Sequence, residues 1–137
     1  MRKNTVLIIA LTCVVISIVL MLLPISAVLV FAPNPAKRLI KTFSYFDMIV
    51  LGYGNVFPLL TAVLSIVLLI ILLWTILSQS HSRKRERSLT ICSIICVITS
   101  VLSLLLFGGI SIAGIAIFIL LLLSTILEFR LFYRSIK

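Results

Sequence analysis

The chain has 137 residues, of which 63% are hydrophobic and only 11% are charged, and its mean hydropathy is +1.40. A soluble domain of this size could not bury so much apolar surface, so the composition indicates an integral membrane protein. The net charge of +9 would suggest nucleic-acid binding in a soluble protein. Here the basic residues cluster at the ends of apolar runs, where they set topology and contact anionic headgroups, so we expect no nucleic-acid partner.

Four apolar runs predict an all-α integral membrane protein, a four-transmembrane-helix bundle that forms one membrane domain over residues 1–137. The runs cover about residues 6–31, 57–77, 89–107 and 110–127. Each is close to or longer than the ~20 residues that a helix needs to cross a bilayer. The bundle is the central structural prediction of the sequence.

Turn and cap residues mark the ends of these spans. Pro24 predicts a bend in the first helix, which a neighbouring helix would accommodate. Asn55 is a candidate N-cap of the second helix, and Pro58 falls in its first turn, where a missing N–H costs nothing. Gly108-Gly109 leaves no room for a folded loop, so we expect the third and fourth helices to form a tight antiparallel hairpin.

A short amphipathic helix is predicted over residues 35–46, between the first two spans. Asn34 and Pro35 are typical of an N-cap and a first helical turn, and apolar residues then recur at helical spacing. The apolar set is Leu39, Ile40, Phe43 and Phe46, and the basic set, mostly on the other side, is Lys37, Arg38 and Lys41. The pattern fits a helix at the membrane interface and equally a re-entrant helix between the spans.

The distribution of basic residues predicts the orientation. With both termini in the cytoplasm, nine lysines and arginines lie inside and three lie outside, as the positive-inside rule requires. The inner nine are Arg2, Lys3, Arg83, Lys84, Arg85, Arg87, Arg130, Arg134 and Lys137, and the outer three are Lys37, Arg38 and Lys41. We therefore predict a multi-pass protein of the cell membrane. Its basic loop, with Arg83, Lys84, Arg85 and Arg87, is a topology signal and a candidate site for anionic headgroups or an acidic partner.

Catalytic and metal-binding patterns are not found in the sequence. No acidic or basic residue falls well inside a predicted span, and Glu128, beside Arg130, is interpreted as an interfacial charge. His81 is the only histidine and lies in a polar basic loop, so no nucleophile–base set or metal-ligand spacing is available. We therefore expect a non-enzymatic protein without catalytic residues, cofactor or metal.

The cysteines and other small residues predict close helix packing. Cys92 and Cys96 share one helix face with Ser100, but two thiols one turn apart on an intact helix are badly placed for a disulfide. Small residues let helix backbones approach closely in lipid, where the hydrophobic effect does not drive association. Packing within one bundle explains these stripes, and so does contact with a membrane-protein partner or a second copy.

The Gly-Tyr-Gly tripeptide at residues 52–54 resembles the selectivity filter of potassium channels. In that family a first helix, a short pore helix, the filter and a second helix follow one another, and the predicted elements of this chain come in that order. The sequence departs from the family where Val50 and Leu51 replace Thr and Val, and where Asn55 replaces an acid. The resemblance implies a cation channel as an alternative function, and a turn with permissive backbone geometry is the structural alternative.

A longer stretch around the tripeptide resembles a group of small bacterial four-helix membrane proteins of uncharacterised function. Their segment is similar to F-D-L-x-P-F-G-Y-x-N-F-x-P-L-L-T-A. The matching residues of this chain are Phe46, Asp47, Gly52, Tyr53, Asn55, Leu59, Leu60, Thr61 and Ala62. The match covers about a quarter of the chain. It implies no activity, but it implies that Tyr53 and Asn55 matter.

The function predicted from the sequence is a small accessory or scaffold subunit that recognises a membrane partner or a lipid. Asp47, Tyr53 and Asn55, which we call the candidate recognition residues, supply polar contacts beside aromatic side chains. A cation channel is the alternative. A small-molecule transporter is a third option, which an uncharged bundle interior disfavours.

Overall fold

Four long helices dominate the computed structural model, which describes residues 3–34, 37–47, 56–78, 83–106, 108–109 and 111–136. The helices are α1 (Lys3–Leu22), α2 (Phe57–Leu77), α3 (Arg83–Leu105) and α4 (Ile112–Ile136). All four are long and apolar enough to cross a membrane. This confirms the predicted four-helix bundle of a multi-pass membrane protein.

The helices form a ring, in which α1 and α3 each pack against both α2 and α4. The interior combines aliphatic side chains with many small ones. Fully buried residues include Ala10, Val14, Ser17, Thr61, Ala62, Ser65, Leu68, Leu72, Cys96, Ser100, Ile117 and Ser124. The predicted small-residue stripes therefore contribute to packing within one chain, where they let the helix backbones approach closely.

Several hydroxyl side chains are accommodated in this apolar interior because they bond to their own helices. Ser17 Oγ donates to the carbonyl of Cys13 at 2.8 Å, and Ser65 Oγ donates to the carbonyl of Thr61 at 2.8 Å. Such bonds to the preceding turn satisfy the hydroxyl proton where no water is available.

The first helix is shorter than predicted, because α1 ends at Leu22 and Pro24 lies in the turn that follows. Proline has no N–H to continue a helix, and its ring clashes with the carbonyl four residues earlier. Ser26 then bonds to the exposed end of α1, with its hydroxyl 2.9 Å from the carbonyl oxygen of Leu23. Pro24 therefore terminates the helix, and the predicted bend within a span of residues 6–31 is wrong.

A β-sheet replaces the predicted amphipathic helix. Strand β1 (Ala27–Asn34) pairs antiparallel with β2 (Lys37–Phe43), with Ala27 opposite Phe43. Strand β3 (Gly108–Gly109) pairs with the other edge of β1, so the strand order is β2-β1-β3. Residues 27–31 are rich in β-branched and aromatic side chains, and pairing with them in a hairpin outweighs the short helical periodicity of residues 35–46. The predicted helix is wrong, and the Gly-Gly turn is a short strand.

The bounds of α2 and α3 place the basic residues of the predicted loop at one end of the bundle. Helix α2 has the bounds predicted for the second span, with Val56 at its N-cap position and Pro58 in its first turn. Helix α3 begins at Arg83, because Lys, Arg and Glu are good helix formers, so the predicted basic loop forms its first turns. We call the end of the bundle that carries the sheet the sheet end. The opposite end, where α1 begins and α4 ends, is the termini end.

Candidate functional site

Tyr45 fixes the sheet end to the helices. Its side chain is 1% exposed, and its phenol oxygen accepts a hydrogen bond from Ser103 Oγ of α3 at 3.3 Å. Its backbone N–H donates to the carbonyl of Met21, near the end of α1, at 3.0 Å. Burial raises the pKa of the Tyr45 phenol, and the hydrogen bond from Ser103 opposes that rise. One residue from the connection thus links α1 and α3.

Helix α4 is joined to the same end through Ser111. The Ser111 hydroxyl donates to the carbonyl of Ile25 at 2.9 Å and accepts a bond from the N–H of Gly114 at 3.2 Å, so it caps α4. Gly114 lies where space is short. A Cβ atom there would approach Leu104 Cδ2 to 2.9 Å and the Tyr45 hydroxyl oxygen to 3.5 Å. The sheet end is therefore tightly packed against α1, α3 and α4.

Of the candidate recognition residues, only Asp47 lies within the described part of the chain. Its side chain is exposed, and Oδ2 accepts a hydrogen bond from the backbone N–H of Ser44 at 2.7 Å. This bond closes the turn after β2, so Asp47 has a structural role whatever else it contacts. Tyr53 and Asn55 lie outside the described residues, as does the Gly-Tyr-Gly tripeptide.

The basic residues at the start of α3 lie at the termini end. Arg83, Lys84 and Arg87 are exposed, while Arg85 is half-buried and donates to Ser78 Oγ at the end of α2. The Arg85 bond joins two neighbouring helix ends. The exposed cations remain accessible to water and to lipid headgroups.

Two buried acids at the termini end were missed by the sequence interpretation. Glu86 of α3 is 6% exposed and Glu128 of α4 is 3% exposed. Together they line a small cavity to which all four helices contribute. The lining residues are Leu7, Thr75, Glu86, Leu89, Glu128 and Leu131. The expectation of an uncharged interior, with Glu128 as an interfacial charge, is therefore wrong.

Glu128 accepts a hydrogen bond from Ser124, lies beside the Ser93 hydroxyl of α3, and leaves one oxygen without a partner among the described residues. Its Oε1 atom accepts a hydrogen bond from Ser124 Oγ, one turn earlier on α4, at 2.9 Å. Its Oε2 atom is buried and has no hydrogen-bond partner among the described residues. A buried carboxylate oxygen without a hydrogen-bond partner is costly to the folded state.

The spacing of buried residues along each helix could have predicted that both acids are buried. On α4 the buried positions Ile117, Leu121 and Ser124 continue to Glu128 at alternating steps of four and three. On α3 the buried stripe that ends at Ser100 extends back through Cys96, Ser93 and Leu89 to Glu86. Following each stripe to its charged end places both carboxyl groups on interior faces.

The three cysteines form no disulfide. Cys13 and Cys96 are buried in the bundle, and Cys92 is half-buried. Within the described ranges, no group of three or more His, Cys, Asp or Glu side chains comes together as a metal site.

Comparison of the chain with models of protein families, with curated proteins and with solved structures finds no significant match. The resemblances noted in the sequence therefore stay predictions, and the function is argued from the geometry of the two ends.

Proposed function

We propose that this protein is a small non-enzymatic accessory or scaffold subunit of the cell membrane, whose sheet end recognises a membrane-protein partner. The observation that carries the proposal is the fixed sheet between α1 and α2. Helix–helix connections in bundles commonly need only about 2–8 residues. This chain instead uses residues 23–56, which contain strands β1 and β2 and, on either side of them, turns that bond to α1.

The contacts of this connection favour a rigid platform over a passive linker. Met21 accepts bonds from both the backbone of Tyr45 and the hydroxyl of Ser44, each at 3.0 Å. Ser111 bonds to Ile25 from the opposite side of the sheet end. A platform held at several points presents neighbouring residues in a fixed geometry, which lowers the entropy cost of binding a partner.

The candidate recognition residues continue from this platform. Asp47 ends the turn after β2, and Tyr53 and Asn55 follow before α2 begins. Strand β2 also contains Lys37, Arg38 and Lys41, so an acidic partner surface would suit this end.

The proposed orientation places both termini in the cytoplasm. Arg83, Lys84 and Arg87 are exposed at the termini end, where cytoplasmic anionic headgroups would attract them by about 1 kcal/mol each. The cation-channel alternative has less support, because strand β2 stands where the pore helix of that family would be.

Partner capture tests the proposal. The tagged full chain is extracted from native membranes in a mild detergent, and co-purifying proteins are quantified by mass spectrometry. We expect one membrane protein in fixed stoichiometry with the chain, and we expect Tyr53→Ala and Asn55→Ala to deplete it about tenfold or more, as for residues central to an interface. Phe129→Ala, at an exposed apolar position of α4, is the matched control and should retain the partner. An unchanged set of proteins for all four chains would overturn the proposal.

A further inference from the structure

The cavity at the termini end has the chemistry of a cation site. Glu86 and Glu128 come from different helices and line the same space, which is otherwise bounded by Leu7, Leu89 and Leu131. Leucine side chains exclude water, and carboxylates attract positive charge most strongly where water is excluded. A packing role alone would be served better by apolar side chains at both positions.

The Oε2 atom of Glu128 points to a missing ligand. This oxygen is buried and lacks a hydrogen-bond partner among the described residues, although the rest of the side chain is held in place by Ser124. Leaving such a group unsatisfied costs about 1–3 kcal/mol, and more when it is charged. A bound cation would satisfy it.

Thr75 of α2 also lines the cavity. Its Oγ1 atom donates its proton to the carbonyl of Ile71 at 2.7 Å, so the lone pairs of this oxygen are available to a cation. Ser124 lies outside the lining, and its Oγ atom, which donates to Glu128 Oε1 at 2.9 Å, positions that carboxylate.

The size of the cavity decides what it can hold. It has room for about one water molecule or one metal ion. Mg²⁺ usually keeps several waters, whereas Ca²⁺ accepts irregular sets of carboxylate and hydroxyl oxygens.

From these observations we propose that Glu128 and Glu86, with Thr75, bind one hard metal cation inside the termini end of the bundle. Ca²⁺ accepts irregular sets of carboxylate and hydroxyl oxygens and is the favoured occupant, with Na⁺, K⁺ and Mg²⁺ as the ions to compare. The site lies at the opposite end from the candidate recognition residues, so its test is independent of the proposed partner.

Thermal unfolding of the purified full chain in detergent tests the site. After treatment with a chelator, the protein is titrated with CaCl₂, MgCl₂, NaCl or KCl, with choline chloride matching the ionic strength. We expect a saturable rise of about 5 °C with the bound ion, since a ligand at about ten times its Kd adds stability of that order. Glu128→Gln keeps the shape and should weaken the response at least about tenfold. Asp47→Asn, which changes an exposed carboxylate at the other end, should respond as the wild type does.

A direct measurement keeps the proposal falsifiable if Glu128→Gln does not fold. Equilibrium binding of radioactive ⁴⁵Ca²⁺ or ²²Na⁺ to the wild-type chain should saturate at about one ion per chain. Binding of one of these ions, lost in the variant, supports the site and identifies the ion. The proposal would be overturned if neither radioactive ion bound and none of the four salts raised the melting temperature. An equal response from Glu128→Gln and the wild type would also overturn it.

Discussion

The sheet end and the termini end satisfy their polar groups in different ways. At the sheet end, hydroxyls and backbone groups bond directly to one another, as Tyr45 and Ser111 illustrate. At the termini end, Glu128 lines a small cavity and leaves one buried oxygen without a hydrogen-bond partner among the described residues. Direct bonds between protein groups add rigidity, whereas a buried oxygen without a partner retains the capacity to bind charge. This contrast fits the two proposals, a rigid platform at the sheet end and a ligand site at the termini end.

The largest effect expected from testing this contrast is at Tyr45. Tyr45→Ala removes a buried ring that joins α1 and α3, and we expect the free energy of unfolding to fall by about 3–5 kcal/mol. Unfolding in mixed detergent micelles measures this. Phe129→Ala, at an exposed position, is the control and should cost less than about 1 kcal/mol. Equal losses for the two variants would show that the sheet end is not held by Tyr45.

A smaller effect is expected at Ser124, where the termini end can be tested for coupling. Ser124→Ala removes the hydroxyl that donates to Glu128 Oε1, and we expect the free energy of unfolding to fall by about 1–3 kcal/mol. Combining it with Glu128→Gln forms a double-mutant cycle, for which we expect a coupling of about 0.5–3 kcal/mol. Unfolding free energies of the four proteins measure the coupling. Strict additivity would mean that the two side chains do not act together.

The smallest effect, but one with a characteristic pH dependence, is expected for Tyr45→Phe. At neutral pH the variant loses one hydrogen bond, worth about 1 kcal/mol. The pKa of Tyr45 is raised above the ordinary value of 10.0 in the folded state, so its stabilising effect is present below that pH and is lost as pH rises through the raised value. The difference in melting temperature between wild type and variant should therefore shrink above about pH 10. A constant difference across that range would contradict the burial of this phenol.

The sequence predicted the elements that depend on a single run of residues and missed those that depend on pairing with another segment. The four helices could be predicted because each long apolar run meets the length needed to span a bilayer, and α2 has the predicted bounds. Strands β1 and β2 could not, because the stability of each depends on the other and on β3, which is distant in sequence. The spacing of apolar residues within one segment does not reveal such pairing.

The buried acids were missed for a different reason. Glu128 was interpreted from its neighbour Arg130, whereas in a helix the residues three and four positions away share its face. Ser124 and Leu131 are those neighbours, and both are buried. Tyr53 and Asn55 lie outside the described residues, and their predicted role stays a prediction.

Strand β3 has a consequence for how the chain is assembled during synthesis. Its two residues precede α4 and bond to Val28 and Leu29, which directly follow the turn after α1. A ribosome delivers β1 and β2 long before β3, so the sheet remains a two-stranded hairpin until α3 has been made. Gly108 and Gly109 can join as the third strand only after α3 has been made. The order of translation therefore makes completion of the sheet a late step in the assembly of this chain.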